Sequence, residues 1–284
     1  MSIQKAEGDN LKNACWLGVG NTETAASFTY SIPLKLLLGF AEDYRKIVMN
    51  VKQELILLRS ASDLNAIHSA DATEVTLTIT EVYWRVPHIT VSDTLRLKLL
   101  RLVERDTRIH VPFRSWELHE YPVLPMTDRQ SWTVKTSAQL EKPRYVVLAF
   151  QADRKGKIAK DMSQFDGCSL KNLKVYLNSQ YYPYDNIHGD LSIFYEMFSR
   201  FQSSYYGRST VSPVVSLDNF KNKTPLYVID CSKQNDSIKS GPVDVRLEFE
   251  TGEAFKANTT AYCLLLHDSH LSYTLLTGNV KSIM

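Results

Sequence analysis

The tetrad His267-Asp268-Ser269-His270 places two imidazoles, a carboxylate and a hydroxyl within four residues. Two histidines at H-x-x-H spacing could begin a metal site, and Ser, His and Asp are the parts of a nucleophilic triad. A metal site needs three or four ligands, and no third ligand stands at a recognisable interval. A hydrolase would present its serine on a strained elbow such as G-x-S-x-G, and that motif does not occur. The tetrad reads instead as a polar turn between two strands, 261–266 and 271–277. Glu42-Asp43 could do acid–base work, but with Tyr44-Arg45-Lys46 it reads as a solvated connection. Arg154-Lys155-Gly156-Lys157, with Lys160 and Lys171, could meet phosphates or form a wet loop. Tyr181, Tyr182 and Tyr184 could stack on a sugar or a base; with Pro183 they also suit a rigid packed corner or a subunit contact. No phosphate-cradling or dinucleotide-binding glycine loop is present. No catalytic residue, metal site or cofactor is expected.

The elements that would carry these residues follow β grammar. From Val243 to Phe249 apolar residues alternate with Asp244, Arg246 and Glu248, the mark of a strand with one buried and one wet face. Thr251-Gly252-Glu253 is a turn signal. Tyr145–Gln151, the alternation of Leu170, Leu173, Val175 and Leu177, and Leu226–Asp230 also read as strands, as do Ile47–Leu58 and Thr73–Val82. Thr29–Phe40 is expected to be extended. Pro112, Pro122 and Pro125 argue against a central strand or a long helix between Val111 and Gln130, so a connection is placed there. Two helices stand out. Ser92-Asp93-Thr94 resembles an N-cap ahead of Leu95, Leu99, Leu102 and Val103, in competition with a strand reading. Phe194, Met197, Phe198 and Phe201 recur at helical spacing, Glu196 and Arg200 form an i,i+4 pair, and Gly207 stops the run. Many short strands with one small helix in each half make an all-β protein, a sandwich or jelly roll and, read in tandem, two of them.

Composition narrows the function classes. With 33 basic against 31 acidic residues there is no overall field to draw nucleic acid or membrane. The longest apolar runs are too short to span a bilayer. The opening residues Met1 to Asn10 are polar and unlike a signal peptide. Cys15, Cys168, Cys231 and Cys263 are widely separated, with no C-x-x-C, which suits a reducing compartment. Cys263, in an apolar run, is expected to be a small buried hydrophobe. The N-x-[ST] matches at Asn222, Asn235 and Asn258 are read as chance.

Four segments carry a family resemblance: Pro33–Tyr44 with Glu54–Leu57, Pro143–Gln151, Val175–Tyr184, and Val243–Phe249 with Ala261–Asp268. In this order they resemble the major capsid proteins of the double jelly-roll lineage, in particular the polinton-like and adintovirus-like hexons found as viruses and as integrated elements. The resemblance runs from about residue 29 to the end. It implies two jelly rolls side by side and one short helix in each half, in a subunit that forms pseudo-hexagonal homotrimers tiling an icosahedral shell. Its division of the chain is a flexible arm or remnant at 1–26, a first and incomplete roll at 27–115, a Pro-containing connection at 116–142 and a second roll at 143–284. Partners by this likeness are further copies of the chain, penton or minor capsid proteins, and weak non-specific contact with the genome through an inward loop of Arg154, Lys155, Lys157 and Lys160. Tyr181, Tyr182 and Tyr184 would serve as a subunit contact. The setting would be the virion, assembled in host cytoplasm or nucleus. Relatives carry a longer stretch ahead of the Pro-Leu-Lys-Leu segment, so a truncated copy, a late start or an endogenised copy is expected. A lectin-like jelly-roll module using the tyrosine turn as a sugar platform is the alternative. A cupin-like enzyme would need clustered histidines and carboxylates, and the seven histidines are scattered.

Overall fold

The computed structural model describes residues 17–19, 27–29, 31–69, 76–134, 143–207, 213, 215–233 and 243–282. Strands β1 (Leu17–Val19) and β2 (Ser27–Thr29) pair antiparallel. A single 3-10 turn at Leu34–Leu36 leads into a short helix, α1 (Gly39–Asp43), followed much later by α2 (Asp93–Glu104). The expected extended run through Thr29–Phe40 is therefore helical over its second half. Leu36, Leu37 and Leu38 are consecutive and do not alternate with polar residues, so no sheet face selects them.

From residue 108 the chain is nearly all strand: β3 (Arg108–Tyr121), β4 (Arg129–Val134), β5 (Pro143–Ala152), β6 (Leu170–Leu177) and β7 (Gln180–Tyr182). After helices α3 (Leu191–Tyr206) and α4 (Leu217–Asn222) come β8 (Tyr227–Asp230), β9 (Val245–Thr251), β10 (Thr259–Thr274) and β11 (Val280–Ser282). One sheet runs β3-β10-β5-β8, with β11 beside the far end of β10; the other runs β4-β9-β6-β7. All pairs are antiparallel. Strands β3 to β10 thus pass back and forth between two sheets, with only the hairpin β6-β7 staying in one, which is the wiring of a jelly roll.

The alternation of the sequence sets the core. Val146, Leu148 and Phe150 of β5 and Ala261, Cys263 and Leu265 of β10 face Leu173, Val175 and Leu177 of β6 and Val245, Leu247 and Phe249 of β9. Phe150 sits at the centre, its ring centroid 5.4 Å from those of both Phe249 and Phe255. Helix α3 closes one end. Asp190 caps it by accepting the Ser192 N–H, Gly207 ends it at φ 63°, and Phe194 packs edge-on to Tyr227. The expected Glu196–Arg200 pair forms on its exposed side. A second, smaller cluster lies where β3 and β10 run past the sandwich: Val111, Tyr273 and Leu275, ringed by Phe40, Tyr44, Met49, Val51, Val103 and Phe113.

Three expectations are corrected. The segment 116–142 does not serve only as a connection: it holds the second half of β3 and all of β4, both paired into the roll. Pro112 is tolerated within β3 because that strand pairs on one side only, and an edge strand can lack one N–H. The tetrad 267–270 is not a turn. β10 is one continuous 16-residue strand, since β3 pairs with it from Ala261 to Thr274 while its other neighbour changes from β5 to β11 beyond a register shift at Leu266/His267. Finally, among the described residues of 44–92 there is no strand, although Ile47–Leu58 and the described part of Thr73–Val82 read as strands. Alternation selects a face, but a strand also needs an edge to bond to, and the described residues there pair with none. Ile56, Leu57 and Leu58 are 71, 61 and 92% exposed. Helix α2 does form, with Ser92 at the N-cap but no side-chain cap bond, and it buries none of its residues.

Candidate assembly surface

The tetrad disperses along β10. Successive residues of a strand point to opposite faces, so His267 and His270 cannot share a ligand. His270 meets His110 of β3 instead, Nε2 to Nδ1 at 3.2 Å. Asp268 makes a 3.5 Å ion pair with Arg144, and His267 is buried. Among the described residues no three His, Cys, Asp or Glu side chains converge as metal ligands would.

Glu42-Asp43 is not a solvated pair. α1 presses onto β3 so closely that a Cβ built on Gly39 would lie 1.8 Å from the Arg114 carbonyl oxygen. Asp43 accepts the Arg114 backbone N–H at 2.8 Å and Nε–H at 2.9 Å through Oδ2, and its Oδ1 meets Nη2 of the same residue. Arg114 Nη1 donates to the Tyr205 carbonyl at 2.8 Å while its guanidinium stacks 3.8 Å above the Tyr205 ring. The Tyr205 hydroxyl donates to Glu42 Oε2 at 3.0 Å and accepts from Trp116 Nε1 at 3.2 Å. The hydrogen bonds from Arg114 hold the Asp43 carboxyl below its ordinary range, and burial pushes the Tyr205 phenol up. The cluster locks α1, β3 and α3 together. Nothing in the sequence spacing joins residues 43, 114 and 205, so it was missed.

The basic loop is largely neutralised from within. Arg154 forks onto Asp166 with two 2.8 Å bonds, Lys155 pairs with Glu120 and Lys157 with Asp153. Burial opposes ionisation of Asp166, but the guanidinium outweighs it and its carboxyl is lowered. Lys160 is exposed, with no ion pair of its own among the described residues, and adds to the positive field at Asp153 and Asp166. The tyrosine turn is a rigid corner. Tyr182 is buried, the Tyr182–Pro183 bond is cis, and Lys174 Nζ donates to the carbonyls of Pro183, Tyr184 and Asp185 at 2.6, 3.0 and 2.8 Å. Burial lowers the Lys174 pKa. Tyr181 and Tyr184 remain exposed, 5.9 Å apart and edge to face. Cys168, Cys231 and Cys263 are free thiols, and burial raises all three pKa values, that of Cys168 to about 12.

The two sheets and their strand order are those of one jelly roll, and the sequence matches the family described as "double jelly roll-like domain" over residues 1–271. The chain belongs to the double jelly roll-like family. No curated protein matches the sequence. Among solved structures, this double jelly-roll protein is similar to a chain of the Sputnik virophage, solved by cryo-EM at 3.5 Å. The identity is 10% and the TM-score 0.41, covering 62% of this chain and 39% of that one. It is also similar to the major capsid protein P2 of bacteriophage PM2, at 7% identity and TM-score 0.26, covering 56% of this chain and 44% of that one. The chain spans about two fifths of the length of either.

The surface that remains unexplained on the double jelly-roll protein is apolar. Besides 56–58, the side chains of Ile79, Val82, Tyr83, Trp84, Ile89, Leu97 and Leu100 are between 42 and 73% exposed. They lie on irregular backbone and on α2, outside both clusters of buried residues. No described helix is long and apolar enough to cross a membrane.

Proposed function

We propose that this protein is a structural subunit of a viral capsid, self-associating as homotrimers that tile a shell, with its function residing in surfaces and not in chemistry. Family membership supports the class, since the similar PM2 protein is by name a major capsid protein. The observation that carries the reading is the apolar surface of residues 56–100. Large apolar side chains exposed in this number are what an interaction site presents, and obligate interfaces of large assemblies bury on the order of thousands of Å² with aliphatic and aromatic centres. In this reading the jelly roll of β3 to β10 is the second of two rolls, residues 27–107 belong to the first, and the virion is where the protein resides. Lineage with polinton-like elements, an endogenised origin and contacts with penton or minor proteins belong to the same proposal. Lys160 is the member of the basic loop left to face a genome, and Tyr181 with Tyr184 offers the subunit contact.

Light scattering coupled to size exclusion tests it. A species of three chains is expected over a wide concentration range; a monomer at every concentration would overturn self-assembly by this chain. The rigid Tyr181–Tyr184 corner also suits a sugar platform. Selective binding on a glycan array, lost in Tyr184→Ala, would favour a lectin-like module over the shell.

A further inference from the structure

Strand β3 bonds to β10 on one side only. In an antiparallel ladder, residues alternate between aiming their N–H and C=O at the partner and away from it. Arg114 fixes the phase: its N–H donates to Asp43, away from β10, and its carbonyl oxygen lies under Gly39. Residues 112, 116, 118 and 120 therefore also face outward. The edge is closed at Pro112, which has no N–H, and at Arg114, which α1 covers. At Trp116, Leu118 and Glu120 the outward backbone groups have no hydrogen-bond partner among the described residues, and the Leu118 side chain is 64% exposed. Open edges of this kind template pairing with another strand.

We propose that Trp116–Glu120 is a self-complementary β-edge, on which the same five residues of a second copy pair antiparallel about a two-fold axis through Leu118. In that register Leu118 meets its own counterpart, and Trp116 faces Glu120 of the second copy. Glu117 faces the other copy's His119 on either side of the axis, carboxylate against imidazole. His119 is equipped for this. Its Nε2 is buried and 3.2 Å from Glu117 Oε1 in its own strand, yet makes no hydrogen bond there. The ladder also ends itself. One step further would set Arg114, whose outward groups are taken, against Pro122, which has no N–H to give. Between single chains an isologous contact of this kind closes after two copies. α1 thus acts as the guard that keeps the pairing short. The pairing does not depend on the capsid reading.

Sedimentation velocity on the full chain across a concentration series tests it. A monomer is expected to double reversibly as concentration rises, whereas a trimer, which presents three such edges, is expected to associate into larger species. Leu118→Pro removes an N–H that β10 does not use, and Leu118→Lys places two like charges at the axis. Both should lose the associated species with circular dichroism unchanged, and the lysine variant decides if the proline variant does not fold. Gly39→Ala, which lifts α1 off Arg114, should raise the associated fraction. Absence of such association in the wild type up to its solubility limit, or association that survives in a folded Leu118→Lys variant, would overturn the pairing. So would equal hydrogen-exchange protection of the Leu118 and Arg114 amides in dilute protein, since only the second is bonded.

Discussion

Arg114 is where single side chains matter most in this molecule. Its guanidinium is partly buried and bonded to Asp43, to the Tyr205 carbonyl and, over its face, to the Tyr205 ring. Replacing Asp43 by Asn keeps an acceptor for the backbone N–H but removes the charge, and hydrogen bonds to charged groups contribute about 1.5–3 kcal/mol each. Asp43→Asn is thus expected to cost about 2 kcal/mol in urea denaturation at neutral pH. The folded protein holds the Asp43 carboxyl below its ordinary range, so its contribution is present above the unfolded carboxylate pKa and lost as pH falls through the folded one. The stability gap between wild type and Asp43→Asn should therefore be widest above about pH 4 and close below it; a gap unchanged between neutral and strongly acidic pH would show that charge is not the cause. The residue scale also shows the limit of reading patterns. Glu42-Asp43 reads as a wet dipeptide because its partner stands 71 positions away.

The elements differ in how fully tertiary contact supports them. β10 is hydrogen-bonded on both sides over most of its length, to β3 from Ala261 to Thr274, to β5 at one end and to β11 at the other. The irregular stretches around Leu58 and Tyr83 bond to no strand and expose their apolar side chains. Local opening follows the density of such support, so brief trypsin treatment should cut first at Arg59 and Arg85 and leave a resistant product beginning near Arg108. Early cuts within β5 or β10 would contradict this ordering. β9 was legible because it has one buried face: Val245, Leu247 and Phe249 are inside while Arg246 and Glu248 point out, as their alternation says; β3 and β4 were not, because Pro112, Pro122 and Pro125 read as a connection. The alternation of Leu77 and Ile79 with threonines is no poorer, yet the described residues there pair with no strand.

At the scale of the molecule, two clusters of unequal size share the long strands β3 and β10. The larger cluster draws its buried residues from position 124 onward, and the smaller joins the ends of those strands to residues around α1. A chain of residues 105–284 holds the whole larger core. It is expected to unfold cooperatively, with a lower midpoint than the full chain because Arg114 has lost Asp43. Phe150→Ala in either chain should cost about 3–5 kcal/mol, the usual penalty for emptying a well-packed aromatic site. Non-cooperative melting of the 105–284 chain would mean that the roll depends on the residues before it.

What the sequence by itself determined was the class of fold and the strands β5, β6, β8, β9 and the first part of β10, because hydrophobic alternation and turn residues act over a few positions. It also marked α3 by its spacing and its Gly207 stop, and α2 by a spacing that competed with a strand reading. Only the tertiary structure decided that β10 runs unbroken through the tetrad, that Pro112 sits within a strand at a sheet edge, and that the basic loop satisfies most of its own charge. It alone brought Asp43, Arg114 and Tyr205 together. Those outcomes depend on which strand lies beside which, and hydrogen-bond partners and counter-charges tens to hundreds of residues apart leave no local period to read.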